Sequence, residues 1–225
     1  TYKQNFKGNV TFVSVDKDNG NMDIAFQIET PGVNFDLSHA GKGPSHGWFF
    51  FSCYNTEQAN TLLEVNASKN DKDFIMAVNW KKAEEYIKAG KGKKVPVKYV
   101  HNKFNEETHT ATTETLKEVT VLDSRELEGL CYFIPCPKSP HGCDVDPTGE
   151  YIVGSGKLAA LIPVFSFTKM IKAIEDKAFE GKYGDIPVIK YEAALHGEVQ
   201  KPGLGPLHTE FDGKGNAITS MFVSS

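Results

Sequence analysis

Arginine is nearly missing from this sequence. Of 25 basic residues in a chain of 225, only Arg125 carries a guanidinium, and 29 acidic residues bring the formal charge to −4. A nucleic-acid binder needs a basic face with arginine forks for phosphates and base edges, so that class is excluded. Long apolar runs are lacking too: no stretch reaches the roughly 18 apolar residues of a membrane span. The four cysteines, Cys53, Cys131, Cys136 and Cys143, form no C-x2-C pair. Zinc ribbons need such pairs, so the cysteines read as small buried residues that say little about the compartment. The sequence shows no leader peptide and no initiator Met at Thr1, and Ser225 falls inside what reads as a strand. Both ends are therefore expected to be cut from something longer.

What is present is globular. With 40% hydrophobic residues the chain can bury a sizeable core. Short β-type runs recur at 8–15, 22–30, 48–54, 74–78, 95–99, 118–122, 130–134, 151–153, 186–191, 208–211 and 217–223. Between them stand turn sequences such as Asp18-Asn19-Gly20, Asp146-Pro147-Thr148-Gly149 and Asp212-Gly213-Lys214-Gly215-Asn216, which supply positions tolerant of positive φ. Amphipathic helices are expected at 56–66, at 80–89 behind an Asn79 cap, and at 167–179. Many hairpins with helical insertions predict an all-β fold, a partial β-propeller rather than a parallel βαβ fold, with an irregular sandwich as the alternative.

An internal repeat gives the organisation. Pro140-His141-Gly142-Cys143-Asp144-Val145-Asp146-Pro147-Thr148-Gly149 parallels Leu207-His208-Thr209-Glu210-Phe211-Asp212-Gly213-Lys214-Gly215. In each, a loop rich in Pro and Gly delivers a histidine at the start of a strand, and an Asp/Gly turn starts the next. The histidines are 67 residues apart, more than the roughly 40–50 residues of plain propeller repeats; the helix expected at 167–179 accounts for much of the excess. In a propeller the first strands of successive blades start beside the central axis, so His141 and His208 should converge. Converging neutral imidazoles suit copper, iron or zinc. The competing reading is two ordinary turn histidines bonded to backbone carbonyls.

The motifs carry a resemblance. Ser139-Pro140-His141-Gly142 with Asp146-Pro147-Thr148-Gly149-Glu150-Tyr151 resembles a His-Gly motif of nitrous oxide reductases. Gly203-Leu204-Gly205-Pro206-Leu207-His208-Thr209-Glu210-Phe211-Asp212-Gly213-Lys214-Gly215-Asn216-Ala217 resembles a second, more specific motif of that family. Tyr54-Asn55-Thr56-Glu57 and Asn70-Asp71-Lys72-Asp73-Phe74 resemble further segments, so the likeness covers nearly the whole chain. The wording from Cys136 to Cys143 is closest to the branch exported by the general secretory route.

The resemblance implies a periplasmic copper enzyme that reduces nitrous oxide to dinitrogen and water, the last step of denitrification. Residues 1–225 would be three to four blades of its seven-bladed N-terminal propeller. His141 and His208 would be two of seven histidines on a four-copper, sulfide-bridged cluster, and catalytic in that sense. The remaining ligands, and the cupredoxin domain with its two-copper site, would lie outside the chain, which by itself is expected to be inactive. A c-type cytochrome or similar electron donor and a homodimer are implied as partners. Calcium is implied as well, held by the Tyr54 carbonyl, Glu57 and Asp73, with Asp71 the alternative to Asp73; Ser139 stands where the better-known branch has an asparagine ligand. Asp144 and Asp146 are candidate hydrogen-bond partners for the ligand imidazoles, but an exposed turn role is the stronger expectation for both. His39, His46, His101, His109 and His196 are given no role, His196 being read as a turn residue. Phe49, Phe50, Phe51 and Phe222 are expected on faces that an incomplete ring leaves open. The rival from another class is a calcium-stiffened propeller that binds proteins and catalyses nothing.

Overall fold

A computed structural model describes residues 7–56, 73–105 and 107–223. In chain order the first strands are β1 (Gly8–Val15), β2 (Met22–Thr30), β3 (Asn34–Ala40), β4 (Trp48–Tyr54) and β5 (Asp73–Asn79). Helix α1 (Trp80–Lys88) follows, then β6 (Lys93–Asn105), β7 (Thr110–Asp123), β8 (Cys131–Cys136), β9 (Pro140–Val145), β10 (Tyr151–Gly156) and β11 (Leu161–Ser166). The chain continues through α2 (Phe167–Glu175), β12 (Phe179–Tyr183), β13 (Ile186–Ile189), α3 (Tyr191–Ala194), β14 (Leu195–Gln200), β15 (Leu204–Phe211) and β16 (Ala217–Val223).

The fold is all-β, in sheets of order β1-β2-β7-β6, β12-β13-β8-β5-β4-β3, β14-β11-β10-β9 and β15-β16. Pairing is antiparallel except where β2 meets β7 and β13 meets β8. The middle strands show why the sheets stack. Successive side chains of a strand point to opposite faces, and in β5 Ile75 and Ala77 join one apolar cluster while Phe74, Met76 and Val78 join another. Strand β8 divides the same way, with Tyr132 and Ile134 on one side and Cys131 and Phe133 on the other. The first cluster also takes Val145, Ile152 and Phe165 from the β9–β11 sheet, and the second takes Val10, Phe26, Ile28 and Leu122 from the β1-β2-β7 sheet. Both faces of the six-stranded sheet are therefore covered, which is why its central strands read as unbroken apolar runs.

Local signals end the elements. The Asn79 side chain accepts from Lys82 N and starts α1, and Ser166 accepts from Lys169 N and starts α2. The helix expected at 167–179 stops at Glu175, and Phe179 opens β12. The strand expected at 186–191 stops at Ile189 because Tyr191 begins the single turn α3. His196 lies in β14, not in a turn, its ring 4.7 Å from Tyr151. The helix expected at 56–66 lies outside the described residues. Phe50 is fully buried and Phe49 and Phe51 are half-buried, so this trio is core; Phe222 is 70% exposed. No helix among the described residues is long and apolar enough to cross a membrane.

The single arginine ties two neighbouring strands. Arg125 donates from Nε to Asp123 at 2.8 Å and from its terminal nitrogen to Glu29 of β2 at 2.7 Å. Its guanidinium holds the Asp123 carboxyl below the usual carboxylate range. A depressed folded pKa contributes stability above the unfolded value, about 3.9, and loses it as pH falls through the folded value. Unfolding free energy measured from pH 5 to pH 2 should therefore fall below about pH 4, and Asp123→Asn should flatten that acid limb.

Candidate metal centre

Strand β9 packs between β3 of the six-stranded sheet and β15 of the two-stranded one. The ladder of each of these three strands is interrupted. On β3 the register shifts between Phe35 and Ser38, on β9 it jumps from Gly142 to Pro140, and on β15 it jumps from Pro206 to Thr209. The residues in the gaps include Asp36, His141 and His208. A bulge frees its residue from regular pairing and re-aims the side chain. Here the three irregularities put three polar side chains at one place.

The two imidazoles meet edge to face, ring centroids 5.1 Å apart at 76°. His141 Nδ1 lies 2.7 Å from Asp36 Oδ2. With the Nδ1 proton donated to that carboxylate, the Nε2 lone pair is left for a ligand, the usual arrangement of a metal-binding histidine. The Ser52 hydroxyl donates to the His141 carbonyl at 2.7 Å and accepts from Leu37 N at 3.0 Å, filling the break in β3. Ser220 on β16 accepts from His208 N at 3.2 Å. The His141 and His208 side chains are 27% and 49% exposed, so an incoming group can reach both. Among the described residues, no three His, Cys, Asp or Glu side chains are grouped to hold a metal ion. Two imidazoles by themselves do not make up a metal site.

Three further residues belong to this place. Asp144 is not an exposed turn residue: it is buried on β9 with Oδ1 3.7 Å from Nδ1 of both His208 and His39. His39 is on β3, where its Nδ1 accepts from Val145 N at 3.2 Å. Asp36 was not singled out by any motif. The signal for β3 was the alternation in Phe35-Asp36-Leu37-Ser38-His39, hidden between two Gly/Pro segments. Asp146 keeps its turn role but is buried, accepting from Thr148 N and Oγ1 and from Tyr151 N. Asp212 does the same for Lys214 N and Asn216 N after β15, so the two copies of the repeat share one turn device.

Asp73 sits at the foot of the loop before His141. It is fully buried, accepting at Oδ1 from Thr56 N (3.0 Å) and Thr56 Oγ1 (3.1 Å) and at Oδ2 from Ser139 N (2.7 Å). Tyr54 ends β4, with the Lys157 ammonium 5.4 Å from its ring centroid. Glu57 lies outside the described residues. The four cysteines are free and buried. Burial pushes the Cys53, Cys136 and Cys143 thiols well up and Cys131 up to about 12, so each stays protonated at neutral pH. Two cavities of about 750 and 510 Å³, one beside Arg125 and Tyr132 and one beside Tyr151 and His196, are lined by neither His141 nor His208.

No family model matches the sequence. Comparison with curated proteins finds nitrous-oxide reductase of Pseudomonas fluorescens, 32% identical over 216 residues, which is 91% of this chain and 27% of the relative. Over that quarter of its length the relative and this chain are similar. The enzyme of that name from Stutzerimonas stutzeri is 30% identical over 211 residues, again 91% and 27%, and that of Ralstonia nicotianae 29% over 222 residues, 95% and 28%. The chain thus spans about a quarter of the length of the nitrous-oxide reductases it matches.

Proposed function

We propose that this chain is an internal part of a copper enzyme that reduces nitrous oxide to dinitrogen and water, and that His141 and His208 are two of its copper ligands. The observation carrying this reading is the His141–His208 pair, 5.1 Å apart and delivered by two interrupted strands of neighbouring sheets, in a chain that aligns along 91% of its length with nitrous-oxide reductases. The stacking of sheets through β3, β9 and β15 supports a propeller whose first strands face a common axis, residues 1–225 being three to four of seven blades.

The donor set fits copper. Imidazole is a copper ligand that adds no charge, and Asp36 fixes the His141 ring through Nδ1. A copper centre, when bound, would pass on to an inert and weakly ligating substrate the two electrons that an external donor provides. The chain's own residues orient the His141 ring through Asp36, fix the backbone of the two histidines through Ser52 and Ser220, and leave one side open to a small molecule. The remaining histidines of a four-copper sulfide cluster, and a cupredoxin domain with a two-copper site, would come from the rest of the protein. The same reading puts the protein in the periplasm as a homodimer fed by a c-type cytochrome or similar donor, and gives calcium to the Tyr54 carbonyl, Glu57 and Asp73, whose oxygens suit that ion.

The test is to purify the longer protein that carries this segment, measure copper per chain, and assay nitrous oxide consumption with a reduced viologen. Several coppers per chain with turnover is the expected result. A protein that folds with calcium but takes up no copper and consumes no nitrous oxide would be a binding scaffold, and the proposal would fall.

A further inference from the structure

We infer that Asp144 is a positioning residue for His208, resting on the reading of His141 and His208 as copper ligands. Strands β9 and β15 belong to different sheets and exchange no ladder hydrogen bonds. Whatever fixes the distance between their histidines must therefore come from side chains or from contact. Residues facing β15 from β9 are Gly142 and Asp144, two apart as the strand period demands: a Cβ on Gly142 would meet the Leu207 carbonyl, and Asp144 reaches Thr209. Asp144 Oδ2 accepts from Thr209 N at 2.7 Å, a buried charge-assisted bond to the residue next to His208. This bond ties β15 to β9 across the sheet boundary.

The other oxygen addresses the rings. Oδ1 stands 3.7 Å from His208 Nδ1 and 3.7 Å from His39 Nδ1. These two nitrogens are not equivalent. His39 Nδ1 already accepts the Val145 N–H, so a neutral His39 carries its proton on Nε2 and offers Asp144 none. His208 Nδ1 is then the ring nitrogen left to turn its proton toward the carboxylate. Asp144 thereby does for His208, at longer range, what Asp36 does for His141: it favours a proton on Nδ1 and leaves Nε2 for the metal. The His39 ring stands beside the same oxygen at the same 3.7 Å and packs against the carboxylate.

The charge and the tie can be separated. Asp144→Asn has the same shape and keeps an oxygen for Thr209 N–H, but removes the charge that orients His208. The longer protein would be compared as wild type, Asp144→Asn and His39→Ala for copper retained under a chelator, the visible absorption of the copper centre, and thermal midpoint. Asp144→Asn should hold its midpoint near the wild type while copper is lost about tenfold faster or more and the absorption shifts, the range seen when a ligand's hydrogen-bond partner is removed. His39→Ala should move both readouts the same way by less. Unchanged retention and absorption in Asp144→Asn would reduce Asp144 to a structural tie and overturn the inference. Failure of that variant to fold would do the same, since the Thr209 bond is retained. A wild type without copper would instead sink the functional reading on which the inference stands.

Discussion

Gly142→Ala should push the two histidines apart and cost copper binding out of proportion to its cost in stability. A Cβ built on Gly142 falls 2.2 Å from the Leu207 carbonyl oxygen, 2.9 Å from Asp144 Oδ2 and 3.1 Å from Ser155 Oγ. The first of these is backbone and cannot rotate away. A carbon–oxygen contact needs roughly 1 Å more, so β15 has to retreat from β9 by about that much. The glycine is required here by close approach alone. Overpacking of this kind costs about 1–3 kcal/mol, which the layered core can survive. The site is less tolerant, because Gly142 follows His141 and Leu207 precedes His208. A displacement of about 1 Å at reacting groups can cost about a hundredfold in rate, and the same shift breaks the 2.7 Å bond from Thr209 N to Asp144.

Gly154→Ala is the matched control. Its Cβ would meet Cys136 Sγ at 3.0 Å, Pro163 Cγ at 3.1 Å and Ile75 Cδ1 at 3.3 Å, contacts directed into the core and away from β15. Unfolding by urea should show comparable losses for the two variants, while copper content and nitrous oxide turnover fall only in Gly142→Ala. Equal copper in both would mean that the β9–β15 approach does not set the site.

The histidines were legible because each stands in a short contiguous motif, a Pro/Gly loop running into a strand, and because the motif occurs twice. The turns were legible for the same local reason, and the paired roles of Asp146 and Asp212 follow from them. Asp36 and His39 were hidden for a physical reason. They act on residues 105 and 106 positions later, His141 and Val145, and nothing local marks which later strand will lie beside β3. For Asp144 the turn reading outweighed the imidazole-partner reading because of its neighbours: beside Asp146-Pro147-Thr148-Gly149 it reads as turn, yet it is buried and faces the next sheet. Helix 167–179 was overextended because Ala178 and Phe179 continue its apolar pattern; both do pack on the same core, Phe179 from a strand. A period-3.6 pattern and an apolar residue in the next element are not distinguished by sequence alone.

Asp73→Ala should be strongly destabilising, because it breaks several buried hydrogen bonds at once. The Asp73 carboxylate is fully buried and takes Thr56 N, Thr56 Oγ1 and Ser139 N. Removing it strips those donors of this acceptor, at about 1–3 kcal/mol for each buried group left unsatisfied. Asp73→Asn should cost less, since one oxygen survives, but its amide NH2 would face an N–H donor. The consequence reaches the candidate site, because Ser139 holds a φ of +56° two residues before His141. A non-glycine residue in that region is costly and persists only where its surroundings fix it; the Asp73 bond to Ser139 N is part of that fixing. Unfolding measured with and without a calcium chelator then separates two jobs for the same carboxylate. If calcium is held with Tyr54 and Glu57, the chelator should weaken the wild type and leave Asp73→Ala unchanged. A wild type indifferent to the chelator, beside an Asp73→Ala variant that is strongly destabilised, would make Asp73 a strut between two loops and remove calcium from the account. Retention of full stability by Asp73→Ala would contradict both.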